Sequence, residues 1–143
     1  MDNEFAKWFE RSNGDWVSSR RYLYGPKRKA DNYTTNFTVC TEGNNVSISW
    51  AGEAGEGDMS MVIDEHMLKR DRGYFSDDPT DSAMTLIDDN TVVFMTTYDG
   101  VTYREEIRLI ADDKYRLRQT VATKVDTGDV IIVGQYFEER PAA

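Results

Sequence analysis

Arg116 and Arg118 stand two positions apart in a run, residues 115–124, that alternates as a strand does, so both guanidiniums leave one face together with Thr120. Residues 15–24 alternate in the same way, and Trp16, Ser18, Arg20, Tyr22 and Tyr24 share a face. Near the end of the chain, Tyr136 and Glu138 lie opposite Phe137 and Glu139. Rings set beside arginines could stack on a flat conjugated ligand while the guanidiniums grip its acid groups bidentately. Two plainer readings stay open. The charged face could be solvated, with an ion-pair ladder between neighbouring strands. The first-strand set could be a core Trp/Tyr cluster with an edge arginine. Alternation alone does not say which face turns inward.

Other chemistry is thin. His66 is the only histidine and no nucleophile elbow accompanies it, so a Ser/His/Asp triad is not expected. Cys40 ends a strand with no basic neighbour in sequence to lower its pKa, and reads as a structural thiol. One Cys and one His cannot build a Cys/His zinc site or a disulfide framework, so no metal is expected. Gly55-Glu56-Gly57 has no following helix and is not a phosphate loop. The pairs Asp77-Asp78, Asp88-Asp89 and Asp112-Asp113 read as solvated turn residues.

Charge narrows the partners. Acidic residues number 26 against 17 Lys plus Arg, a formal charge of -9. Nucleic acid and anionic membrane are both disfavoured, because each is bound mainly through basic groups. No signal peptide or long apolar run is present, so a cytoplasmic location is expected.

These side chains need elements to hold them. With 143 residues, 30% charged and 39% hydrophobic, the chain fits one domain spanning 1–143. Phe5, Trp8 and Phe9 at i, i+3 and i+4, with Asp2 or Asn3 as N-cap and Asn13-Gly14 as a stop, predict a short helix over about 3–12. Everything after it reads as strand and turn. The strands fall at about 15–24, 33–40, 46–51, 58–64, 67–75, 83–87, 91–98, 101–110, 115–124 and 130–139. Gly25-Pro26 leads into a basic loop, Lys27-Arg28-Lys29, and Gly52, Gly55 and Gly57 make a flexible connection. Asp99-Gly100 is the clearest hairpin turn. In residues 101–110 the face of Val101, Tyr103, Ile107 and Leu109 is interrupted by Glu105. About ten strands joined by hairpin-length turns tend to close, since closure removes exposed edges. The expected fold is therefore all-β, a ten-stranded antiparallel up-and-down barrel over about 15–140, of the calycin type, with room inside for one ligand.

At this point the residues resemble a family. Trp16-Val17-Ser18-Ser19-Arg20 after a short aromatic helix is similar to the W-x-S-x-R opening of the S/U-type phycobiliprotein lyases (the CpcS/CpeS family). Trp50-Ala51-Gly52 resembles that family's W-x-G, and Arg70-Asp71-Arg72-Gly73-Tyr74 its R-D-x-G-Y. Glu105-Glu106-Ile107 followed by Arg116-Leu117-Arg118 resembles its E-x-I … R-L-R pair, and Glu138-Glu139-Arg140 its terminal E-I-R. The likeness spans roughly residues 5–140, in register.

The resemblance implies a lipocalin-like barrel that binds a linear tetrapyrrole (a bilin, phycoerythrobilin or phycocyanobilin) and delivers it to a Cys of a phycobiliprotein subunit as a thioether. It makes Arg20, Arg116 and Arg118 candidates for the propionate and ring-carbonyl contacts. Arg72, Trp50 and Tyr74 become candidates for shaping the pocket, and Glu138 the catalytic partner of the pyrrole nitrogens. No bound cofactor is implied beyond the bilin substrate. The implied partners are the bilin and the acceptor subunit, with a bilin reductase and a second copy of the chain as further candidates. Glu139 stands where the family motif has an apolar residue, and the chain is short for the family, which would suit a marine picocyanobacterium or its phage. The competing expectation is a non-enzymatic lipocalin-like carrier of a hydrophobic carboxylate, which needs one acid-binding Arg and otherwise apolar walls. A third is a protein-binding barrel whose acidic surface docks a partner.

Overall fold

A computed structural model describes residues 3–25, 29–53, 55–72 and 78–142. Helix α1 (Glu4–Arg11) precedes ten strands: β1 (Gly14–Tyr24), β2 (Lys29–Glu42), β3 (Asn45–Gly52), β4 (Gly55–Asp64), β5 (Met67–Arg70), β6 (Thr80–Asp88), β7 (Thr91–Tyr98), β8 (Val101–Ile110), β9 (Tyr115–Lys124) and β10 (Val130–Glu139). Each strand pairs antiparallel with the next, and β1 pairs with β10, so the sheet is a closed barrel as the turn spacing predicts.

Helix α1 closes one end. Asn3 is its N-cap, accepting from the Phe5 and Ala6 amides. Ala6, Trp8 and Phe9 are buried, with the Trp8 and Phe9 rings edge to face at 5.1 Å. The Trp8 indole N–H donates to the Asn90 carbonyl (2.9 Å), and Arg11 donates two hydrogen bonds to the Asp113 carboxylate (2.7 and 3.1 Å). Arg140 then donates to the Asn13, Arg11 and Asp113 carbonyls and stacks on Trp16 at 3.9 Å. Around this plug lies the apolar core, including Trp16, Val39, Val46, Ile63, Val92 and Leu109. Among the described residues no element crosses the opposite end.

Three expectations need correction. The fifth strand stops at Arg70 rather than running on to residue 75; Asp71 and Arg72 form a bend, and residues 73–77, with Tyr74, lie outside the described residues. Gly52, Gly55 and Gly57 are not a flexible connection but the ends of the β3–β4 hairpin, with Gly52 opposite Gly55 and Gly57 opposite Trp50. A Cβ on Gly57 would sit 2.7 Å from the Trp50 ring, so the glycine there makes room for the indole. β2 also begins earlier than the alternation suggested, at Lys29, because it pairs with β1 all the way up to Tyr24. Of the basic loop expected at 27–29, Lys29 opens β2, and residues 27–28 lie outside the described residues. The Asp99-Gly100 turn is as predicted, with φ of 51° and 74°.

Candidate functional site

Closure decides the question that alternation left open: the arginine faces turn inward. The cavity has two unlike walls. β2 to β5 contribute apolar side chains, among them Val39, Ile48, Met59, Met61 and Leu68. β8, β9, β10 and β1 contribute Glu105, Arg116, Arg118, Tyr136, Arg20 and Tyr22, with Arg70 of β5 reaching in from across the barrel. The enclosed volume is about 180 Å³.

The polar wall is an ion-pair lattice. Arg118 donates to Glu105 through Nε at 2.7 Å and lies 2.6 Å from it through Nη2. It also approaches Glu138 at 3.8 Å and stacks on Tyr136 at 4.2 Å. Arg70 stands 3.7 Å from the other Glu105 oxygen, donates to the Ser82 hydroxyl at 2.9 Å and lies over Phe94. Ser82 is itself bonded to Thr96. Arg116 is 3.0 Å from Glu138 and boxed by the rings of Trp8, Trp16 and Phe37, each within 6.0 Å. That pair is close but not aligned as a directional hydrogen bond, and both Glu138 oxygens, wholly buried, accept none among the described residues.

Four guanidiniums, Arg20, Arg70, Arg116 and Arg118, face two carboxylates, Glu105 and Glu138, so the interior is net positive inside a chain of charge -9. Burial works to neutralise Glu105, but the charges of Arg118 and Arg70 outweigh it and hold the carboxyl below its ordinary pKa. Desolvation pulls the Arg118 guanidinium down, yet Glu105 more than compensates and keeps it firmly protonated. Burial depresses the Arg116 guanidinium, with Glu138 offsetting part of that. Desolvation likewise pushes the Tyr136 hydroxyl well above the ordinary phenol range, so it stays a neutral donor.

The structure brings together Arg20, Trp50, Arg116 and Arg118 on the cavity wall. Arg20 is half-buried, donates to the Ser18 hydroxyl at 3.1 Å and lies over Tyr136 and Phe37. Glu138 also faces inward, wholly buried one row nearer α1 than Tyr136, against Arg116 and Arg118, and does not itself line the cavity. Arg72 lies over the Trp50 ring at 5.5 Å without lining the cavity. Sequence reasoning missed Glu105 and Arg70. The signal for Glu105 lies in the sequence, an acid that interrupts the apolar face between Tyr103 and Ile107. Among the described residues no cluster of His, Cys, Asp or Glu could hold a metal ion.

The chain is thus a closed ten-stranded barrel of the lipocalin type, with one polar and one apolar inner wall around a cavity. The chain belongs to the CpeS-like protein family, whose model matches residues 63–141. It is 24% identical to the "Putative phycocyanobilin lyase CpcS 2" of a Nostoc species, over 97% of this chain and 92% of that one. It is 32% identical to the "Putative chromophore lyase CpcV" of a Picosynechococcus species, over 59% of this chain and 41% of the other. Among solved structures it resembles the S-type phycobiliprotein lyase CPES from Guillardia theta, with a TM-score of 0.69, 17% identity, and coverage of 100% and 94% of the two chains; that likeness speaks for the fold.

Proposed function

We propose that this chain is a bilin lyase: it holds a linear tetrapyrrole in the barrel and hands it to a Cys of a phycobiliprotein subunit, forming a thioether. The observation that carries the reading is the set of four guanidiniums around a buried carboxylate, between stacking rings. A tetrapyrrole with two propionates offers two carboxylates for guanidiniums, pyrrole N–H groups for a carboxylate and conjugated faces for rings. A plain carboxylate carrier would need one arginine, and this wall has four.

Arg20, Arg116 and Arg118 take the propionate and ring-carbonyl roles, and Trp50 shapes the apolar side. For the pyrrole nitrogens the geometry favours Glu105, which reaches the cavity. Glu138 acts from one row nearer α1, setting Arg116 and Arg118, so it becomes a positioning residue. The cavity is smaller than the about 300–1,000 Å³ of sites that swallow a drug-sized ligand, so the pigment fills it with one end left at the mouth.

The chemistry is addition. The acceptor thiolate forms a C–S bond to the ethylidene carbon of ring A, and the proton goes to the pigment, so nothing leaves and no oxidant is needed. Hydrogen bonds from the pyrrole N–H groups to Glu105 would keep the bilin cationic and ring A electrophilic, while fixed orientation raises rate and fidelity. The attacking thiol is the acceptor's, so the reaction needs no nucleophile from this chain. The reaction belongs to a cytoplasm in which bilins are made.

Mixing the purified protein with phycoerythrobilin and with phycocyanobilin should give a shifted, sharpened visible band with at least one of them. Adding an apo-phycobiliprotein subunit should then give an acid-stable coloured product. No spectral change with either pigment would overturn the reading.

A further inference from the structure

Strand register sets the outward side chains of four neighbouring strands in a grid. One row runs Ser19, Phe137, Leu117, Arg108 across β1, β10, β9 and β8. The next, away from α1, runs Arg21, Gln135, Gln119, Glu106. A third runs Leu23, Val133, Val121, Arg104.

The composition of this grid is unlike the rest of the chain. It holds three arginines and one carboxylate, where the whole sequence has 26 acidic and 17 basic residues. It also exposes large apolar groups: Leu23 is 44%, Leu117 42% and Phe137 44% accessible. Tyr115 leans on Phe137 at 5.6 Å. A shallow groove passes between the rows, walled by Leu117, Phe137, Gln119 and Gln135. Folding gives no reason for a phenyl ring here, because the core of a barrel lies on the other face of these strands. An apolar centre with an arginine rim is the make-up of a protein contact.

We propose that this face docks an acidic protein surface carrying apolar side chains, and that its occupant is the acceptor subunit. The inference rests on the lyase reading for the identity of the partner. Charge selects the occupant. Arg21 and Arg108, with Arg104 beside its partner Glu106 at 3.6 Å, leave the grid net positive and attract an acidic surface, whereas a second copy docked on the same face about a two-fold axis would bring one net-positive grid against another. Size points the same way. Three rows on four strands cover on the order of 300 Å², less than the about 800 Å² per partner of a standard complex, which suits a partner that must be released after each transfer. The same strands carry Arg116, Arg118 and Glu138 on their inner faces, so the acceptor would stand against the wall that holds the pigment.

Two variants test this, Leu117→Ser/Phe137→Ser and Arg104→Glu/Arg108→Glu, all at outward positions. Each is loaded with bilin and titrated with the apo-subunit that gives coloured product. The bilin spectrum should match wild type, kcat should stay within twofold, and KM for the acceptor should rise at least tenfold. Added salt should raise the wild-type KM and lower that of the arginine variant, whose new carboxylates repel the same acidic surface. The proposal is overturned if both variants keep KM within twofold of wild type, or if their bilin spectra change. It is also overturned if sedimentation shows a wild-type dimer that Leu117→Ser/Phe137→Ser dissociates, since the face would then belong to a second copy. Absence of any bilin uptake by wild type would instead sink the lyase reading; direct calorimetric titration with the apo-subunit would still decide the docking face.

Discussion

Glu105 is a carboxylate buried between Arg118 and Arg70, with a pKa held below the ordinary value of about 4.3. A depressed folded-state pKa contributes stability that is present in full above the ordinary value and is lost as pH falls through the lower, folded one. Urea unfolding between pH 6 and 3 should therefore show stability dropping below about pH 4.3, and Glu105→Gln should flatten that part of the profile. Arg116 makes a second test. Replacing it with Met leaves Glu138 buried without its close cation and should cost about 3–5 kcal/mol. Arg116→Met/Glu138→Leu should recover most of that in the same denaturation assay; a double variant as unstable as the single one would mean that the aromatic box, and not the charge, holds Arg116. That Arg116 and Arg118 share one face of β9, and Arg20 a face of β1 with Trp16 and Tyr22, was legible because those strands are ten or more residues long and alternate cleanly; that these faces turn inward was not, since only closure of the barrel decides it. Glu105 was legible only as an interruption, since an acid among apolar residues reads as a break until closure makes that face the inside. Arg70 sits on a four-residue strand, too short for alternation to show.

At the scale of elements, the helix and the strand series follow from spacing and turn residues, and the observed order reproduces them. The misread pieces have one cause each. The part of β2 that alternation did not show, Lys29-Ala30-Asp31-Asn32, has no apolar residue larger than Ala to mark a strand face, and its pairing with β1 makes it strand. β4 begins with glycines that read as linker, although Gly57 is there to seat the Trp50 indole. That contact can be tested. Gly57→Ala must push the ring by several tenths of an ångström at least, which should shift tryptophan emission and weaken bilin binding severalfold while strand content by circular dichroism stays unchanged. The cap of α1 offers a control away from the cavity: Asn3→Ala should cost about 1 kcal/mol of stability and leave the bilin spectrum as it was.

For the whole molecule, the governing fact is a net-positive interior within a chain of charge -9. Such a cavity is electrostatically unfinished, and under the proposed function the anionic bilin completes it. Esterifying both propionates of the bilin should therefore weaken binding at least tenfold, read by fluorescence titration, whereas shortening an apolar substituent should matter far less. Saturating free acid should also raise the unfolding free energy, by about 2.7 kcal/mol at a hundredfold excess over Kd.

The plug at one end has a consequence of its own. Trp8 on Asn90, Arg11 on Asp113 and Arg140 across the helix terminus bolt that end shut, so a guest in the cavity has no exit on that side. A rod-like guest that enters and leaves by one end obeys a last-in, first-out rule: the end that enters first leaves last. Under the proposed function, whatever part of the bilin sinks toward the helix is shielded from bulk thiols for as long as it stays. A single short helix thus makes loading polar and gives the cargo a leading and a trailing end before any partner arrives.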